Sequence, residues 1–137
     1  MSREDLIVET IRDDCPEVKA IYLFGSYSQG VERPASEYDS GSDIDIAVLL
    51  DHDRKLPTNL ISHLSDKIQI GVDLIDLRKV PTILQKEVIA NGKRLWAANT
   101  LEADEFELLV WSSYQKLCEE RAEIVQAGIS SGRFYQP

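Results

Sequence analysis

Apolar residues recur along this chain at two intervals, and each interval predicts a different element. Over 3–14, REDLIVETIRDD, Leu6, Ile7 and Ile11 fall on one side of a helix, with Ser2 placed to cap it ahead of acidic residues. VKAIYLF, 18–24, reads as a strand, and VERPASEYDSGS, 31–42, as a polar loop rich in Pro, Gly and Ser. DIDIAVLL, 43–50, is predicted as the next strand and IQIGVDLIDL, 68–77, as the third. Between them Leu60, Ile61 and Leu64 predict a helix starting near Pro57-Thr58. Another helix is expected from about Pro81 to Asn91-Gly92, a pair suited to a C-cap, followed by a short strand at Arg94–Trp96. From about Ala103 to Gln126 the pattern is one long helix. This order predicts a small α/β (α+β) domain: an open sheet of mixed direction, helices packed on one side, and a long C-terminal helix.

Side chains alternate along a strand, so 43–50 separates into two faces. Ile44, Ile46, Val48 and Leu50 share one; Asp43, Asp45, Ala47 and Leu49 share the other. The third strand splits likewise, with Ile68, Ile70, Val72 and Leu74 opposite Gly71, Asp73 and Ile75. If the apolar faces of both strands meet the same helices, Asp73 emerges beside Asp43 and Asp45. Two carboxylates 4 Å apart repel by roughly 4 kcal/mol at an effective dielectric near 20. Such a cluster calls for protonation or a cation. Hard oxygen donors with no His or Cys nearby favour Mg²⁺ or Mn²⁺ over zinc. The plainer explanation is that the aspartates frame strand ends on a solvated surface. For Asp76 that explanation is preferred; for an Asp-x-Asp pair alone the two stand even.

Gly25-Ser26 changes this balance. Glycine lets the chain turn sharply after a strand and lets backbone N–H groups approach a phosphate. Serine adds a hydroxyl, and a helical turn at SYSQG would aim its N-terminus at the same anion. By itself Gly-Ser is more often just a turn. Combined with carboxylates opening the next strand and a third on a later strand, it describes a phosphate cradle facing a metal site.

Composition narrows the class further. The chain has 137 residues, 43% hydrophobic and 28% charged, enough for one domain with one core. No apolar run reaches the length of a membrane span and MSREDLIVETIRDD is unlike a signal sequence, so a cytoplasmic protein without membrane partners is expected. Cys15 and Cys118 match no metal or redox spacing and are expected as buried free thiols, and the isolated His52 and His63 receive no role. With 24 acids against 15 Lys and Arg, the net charge is −9 and there is no basic block. A groove for a phosphate backbone needs the reverse, so polymerised nucleic acid is not expected as the main substrate.

FGSYSQG, SDIDIAV and VDLIDL resemble the nucleotidyltransferase superfamily with the DNA polymerase beta-like palm. Within it the likeness is to the minimal nucleotidyltransferase (MNT) antitoxins that partner HEPN-domain toxins. It runs from about residue 5 to 96 and weakly into the tail, at SSGRFYQ. The chain accordingly divides into a nucleotidyltransferase segment, 1–100, and a C-terminal helix and tail, 101–137, expected to form one compact unit. The family pattern places ten residues between Gly-Ser and Asp-x-Asp, whereas here Tyr27 to Ser42 intervene, sixteen residues, with the insertion after Pro34. A longer loop is thermodynamically cheap, so the site can survive it.

The resemblance implies transfer of AMP from ATP to a hydroxyl. Asp43 and Asp45 would bind two Mg²⁺ ions, and Asp73 would complete the ion nearest the attacking oxygen. Gly25 and Ser26 would hold the triphosphate, with Ser42 and Arg33 also contacting the nucleotide. The implied acceptor is a tyrosine of a HEPN ribonuclease toxin, which adenylylation inactivates. Two other readings stay open: a small-molecule enzyme of the aminoglycoside-modifying kind, for which there is little room, and an antitoxin that neutralises by binding alone.

In 103–126, Phe106, Leu109, Val110, Leu117, Ile124 and Val125 recur at helical spacing, widened by Trp111 and Tyr114. The aliphatic positions are expected to cover the sheet or neighbouring helices. The aromatics exceed what a narrow seam needs and point to a partner surface.

Overall fold

The computed structural model of the chain describes residues 2–25 and 44–130, with side chains through residue 124. The polar loop 31–42 and the tail 131–137 lie outside the described residues. The described elements are α1 (Arg3–Asp14), β1 (Ala20–Phe24), β2 (Ile44–Leu49), α2 (Leu60–Ile68), β3 (Val72–Asp76), α3 (Thr82–Asn91), β4 (Lys93–Ala97) and α4 (Thr100–Ser130).

Helix α1 begins as its sequence dictates. The Asp5 amide donates to Ser2 Oγ at 3.1 Å and the Ser2 amide to Asp5 Oδ2 at 3.3 Å, a reciprocal cap. Glu4 and Asp5 also place negative charge on the positive end of the helix dipole. At the other end of the chain, α4 runs for 31 residues, about 46 Å at 1.5 Å per residue. Among the described residues no helix is long and apolar enough to cross a membrane.

The sheet is mixed, in the order β3-β2-β1-β4. Strand β1 pairs antiparallel with both β2 and β4, while β2 and β3 are parallel. A parallel neighbour needs a crossover, which α2 supplies. The third strand is shorter than its alternation suggests. Ile68 closes α2 instead, because Leu60, Leu64 and Ile68 form one buried helical row at a spacing of four. Gln69 then turns the chain through a left-handed conformation, φ 60°, and β3 starts only at Val72.

Helices cover both faces of the sheet, not one. Ile7 and Ile11 of α1 and Leu60 and Leu64 of α2 pack with Ile21, Leu23, Ile44, Ile46 and Val48 on the first face. On the second, Val88 of α3 and Ala103, Phe106 and Val110 of α4 pack with Ala20, Tyr22, Ala47 and Leu49. The physical reason is the second set of strand residues: Ala20, Tyr22, Ala47 and Leu49 are as apolar as the first, and leaving them wet would forfeit roughly 25 cal/mol per Å². The carboxylate face of β2 is therefore a second core with charge at one end only.

Two further expectations are corrected. Cys15 is buried, but Cys118 is exposed on α4. Leu109 and Ile124 are exposed as well, since the buried line of α4 runs through Ala103, Phe106 and Val110 and the helix is longer than the sheet it crosses. Val125 has no described side chain.

Candidate active site

Strand β1 ends at Phe24, and Gly25 carries the chain away with φ +76°, a conformation open to glycine and strained for other residues. The turn also crowds its neighbour: a Cβ at Gly25 would overlap the carboxylate of Asp45. Asp45 is half-buried in β2, where its register partner on β1 is Phe24 and on β3 is Asp73. Laterally paired residues point to the same side of a sheet, so Phe24, Asp45 and Asp73 share the face covered by α3 and α4. Asp73 is exposed. The carboxylates thus sit at the rim of the second core, where β1 ends and β2 and β3 begin.

Register decides this arrangement, and hydrogen bonds beyond the paired strands hold it. The Ile44 amide donates to Gly71 O at 3.0 Å just before the strands, and the Leu77 amide to Val48 O at 2.9 Å just after them. A slip of one residue would send Asp73 to the α1–α2 face and strand it in apolar packing. Asp76 already lies on that opposite face, in register with Val48. Its Oδ1 accepts from the Arg78 amide at 3.1 Å and its Oδ2 lies 3.6 Å from Lys79 Nζ, so it caps the turn after β3, with its side chain more buried than a solvated strand end implies.

Helix α3 closes in from the side. Gly92, at its C-terminus, has an extended backbone rather than the left-handed cap that Asn91-Gly92 suggests. Glycine is needed there for close approach, since a Cβ would run into the carbonyl oxygens of Val88 and Leu23 and press on Phe24. The α3 terminus therefore lies flush against the β1 end, beside the carboxylates.

Sequence inspection missed a polar brace on the same face. The buried Tyr22 hydroxyl donates to Glu107 Oε2 at 2.8 Å, and Arg94 Nη1 donates to Glu107 Oε2 at 2.8 Å and to Asp104 Oδ1 at 2.9 Å. Burial, with the Glu107 hydrogen bond and charge, pushes the Tyr22 phenol well above its usual range, so it is a structural donor rather than an acid. No local pattern announces this brace, because its members come from β1, β4 and α4.

Of the candidate residues, the structure brings together Gly25, Asp45 and Asp73. Ser26, Arg33, Ser42 and Asp43 lie outside the described residues. Among the described residues no group of three or more potential ligands forms, leaving Asp45 and Asp73 as a pair. The donors are carboxylate oxygens in lateral register, a hard and anionic set that suits Mg²⁺ or Mn²⁺ rather than a thiophilic ion.

The sequence profile of the family described as polymerase beta, nucleotidyltransferase, matches residues 6–101. The chain belongs to this nucleotidyltransferase family. It is 40% identical over 125 residues to protein adenylyltransferase MntA of Shewanella oneidensis, which covers 89% of this chain and 84% of that protein. A crystal structure of a toxin–antitoxin complex with AMP-PNP superposes with TM-score 0.75 at 36% identity, over 92% of this chain and 98% of that one. Another, of tri-AMPylated Shewanella oneidensis HEPN toxin with MNT antitoxin, gives TM-score 0.69 at 34% identity, over 93% and 96%. Within the nucleotidyltransferase family the chain is thus of the MNT antitoxin kind. The matched profile ends where α4 begins, and the likeness to the MntA adenylyltransferase and to the toxin–antitoxin structures extends beyond the profile to about nine-tenths of the chain.

Proposed function

We propose that this chain is an antitoxin that transfers AMP from ATP to a tyrosine hydroxyl of a cognate HEPN ribonuclease toxin and thereby inactivates it. The observation that carries the reading is the lateral register of Asp45 with Asp73 beside the Gly25 turn. Its support from relatives is the MntA adenylyltransferase and the AMPylated toxin complex.

In the transfer, the tyrosine oxygen attacks the α-phosphorus of ATP, the bond from that phosphorus to the bridging oxygen breaks, and pyrophosphate leaves. Asp73, exposed at the rim, is assigned the role of accepting the phenol proton and passing it to solvent. Asp45, half-buried and hemmed in by the Gly25 turn, holds a fixed carboxylate at the rim. Asp43, Asp45 and Asp73 would hold divalent cations, which when bound supply the positive charge that offsets triphosphate and leaving group. Gly25 and Ser26 are assigned to the triphosphate, and Ser42 and Arg33 to the nucleotide. Positioning and charge compensation supply most of the catalysis in chemistry of this type.

The test is incubation with α-labelled ATP, Mg²⁺ and the HEPN protein encoded beside this chain. Label should pass to toxin tyrosine, stop with EDTA, and be absent with Asp45→Asn. Equal labelling by that variant, or none by the unaltered chain, overturns the proposal.

A further inference from the structure

Helices α1 and α2 pack side by side on the first face of the sheet, away from the rim that carries Asp45 and Asp73, and a groove of about 250 Å³ runs between them. Three carboxylates of α1 line it, Glu9, Asp13 and Asp14, against one cation, Lys67 of α2. Asp14 is engaged across the gap by His63 Nδ1. Glu9 and Asp13 are exposed and form no salt bridge among the described residues. They stand four residues apart, about 6 Å along the helix axis, a spacing at which like charges oppose the helix. Arg12 does not relieve them from within the groove, because it turns to the other side of α1 and sets its guanidinium 4.6 Å from the Trp96 ring centre.

Acids on a helix face need no ligand by themselves, and Thr10 is what singles this groove out. Thr10 lines it, is only 7% exposed, and its hydroxyl makes no hydrogen bond to another described residue. A threonine inside a helix ordinarily satisfies its hydroxyl on the carbonyl one turn back. Left unpartnered at this depth, the hydroxyl costs free energy that a polar group in the groove would restore. Asp13 and Asp14 follow Thr10 at three and four residues, so all three lie on one side of α1.

The donor set also selects the class of ligand. Among the described residues no group of three or more His, Cys, Asp or Glu is placed to hold a metal ion. Separated carboxylates suit charge distributed along a chain better than a point charge. Half-buried Leu6 supplies an apolar wall for methylene groups. An ammonium has three protons to donate, so one such group can serve a carboxylate and the Thr10 hydroxyl together.

We infer that the α1–α2 groove binds a linear polyamine, with one ammonium on Thr10 and Asp13 and the next on Glu9. The site is separate from the candidate active site, and the inference does not rest on the proposed function.

The experiment titrates spermidine into the unaltered chain by isothermal calorimetry at fixed ionic strength, without nucleotide or metal, and follows thermal melts in parallel. The expected result is saturable binding at one site and a raised melting temperature. Glu9→Gln with Asp13→Asn, and separately Thr10→Val, should each weaken binding on the order of tenfold or more. Glu120→Gln with Glu123→Gln, which removes two exposed acids of α4, should bind as the unaltered chain does. Circular dichroism checks the fold of each variant, and the exposed Glu9/Asp13 pair decides the matter if Thr10→Val fails to fold. Absence of saturable binding, or full affinity in the Glu9/Asp13 variant, overturns the inference. So does an equal loss in the α4 control, which would show attraction to acidic surface in general. Mg²⁺ that displaces spermidine at equal concentration would mark a metal site and overturn it as well.

Discussion

Gly25 has no side chain because the carboxylate of Asp45 occupies the space one would take. The turn that ends β1 and the acid that opens β2 are therefore a single steric unit, joined across eighteen residues of intervening chain that lie outside the described residues. A backbone at φ +76° would by itself favour glycine, and the contact makes the demand stronger.

Gly25→Ala is expected to retain the fold and displace Asp45. The strain costs on the order of 1–2 kcal/mol, and the misplaced carboxylate costs roughly tenfold to a hundredfold in transfer rate. Thermal melts and single-turnover AMP transfer measure the two effects separately; a variant with unchanged transfer would show that the contact does not serve the chemistry.

Asp73→Asn should abolish transfer, on the order of 10²-fold or more, without lowering stability. Removing one of two laterally paired like charges relieves repulsion, about 0.2–1 kcal/mol. The melting temperature in EDTA should hold or rise slightly. Mg²⁺ should raise the melting temperature of the unaltered chain and not that of the variant, a readout independent of activity. Equal Mg²⁺ stabilisation in both would remove Asp73 from the ligand set. Asp76→Asn, on the opposite face, should keep full transfer and lose only a turn cap.

Gly92→Ala tests close packing rather than backbone freedom, since its backbone is extended. The added methyl meets the Val88 and Leu23 carbonyl oxygens and forces α3 off β1, destabilising by about 1–3 kcal/mol. Chemical denaturation reads the loss, and a midpoint equal to that of the unaltered chain would contradict the packing described.

The two thiols should behave oppositely. Burial, reinforced by Glu17, pushes the Cys15 thiol up to about 11, while Cys118 is exposed. Iodoacetamide at neutral pH should label Cys118 alone in the native protein and both after unfolding. The raised value also sets a pH dependence. Above pH 9 the unfolded chain ionises its thiol while the native one keeps the proton, so stability falls as pH rises from 9 towards 11. Cys15→Ala should lose stability less steeply over that window; parallel curves would show that the thiol does not contribute.

Much of the candidate site was legible because it depends on local alternation. Asp45 opposite Ile44 and Ile46 follows from the two-residue period of one strand, and Asp73 opposite Val72 and Leu74 follows from the same rule in another. Ser2 with Asp5 was legible for a similar reason, since a helix cap spans only four residues. The end of α2 was not, because Ile68 satisfies a helical row with Leu64 and a strand alternation with Ile70 equally well. Cover on the second face was not legible because Ala47 and Leu49 share their side with Asp45, and the acid interrupts the apolar pattern of that face. The Tyr22–Glu107–Arg94 brace joins residues 72 to 85 positions apart or on separate elements, and no short-range pattern records it.

The amino-acid sequence alone determined which residues could share a face, where α1 begins, and that carboxylates open β2, since each depends on neighbours within a few peptide units. Tertiary structure decided that β2 and β3 are parallel partners in a register setting Asp45 beside Asp73, that the Gly25 turn lies against Asp45, and that α4 leaves one side bare. Those outcomes come from burying two apolar faces of one sheet at once, a condition satisfied by the whole chain and written in no single segment of it.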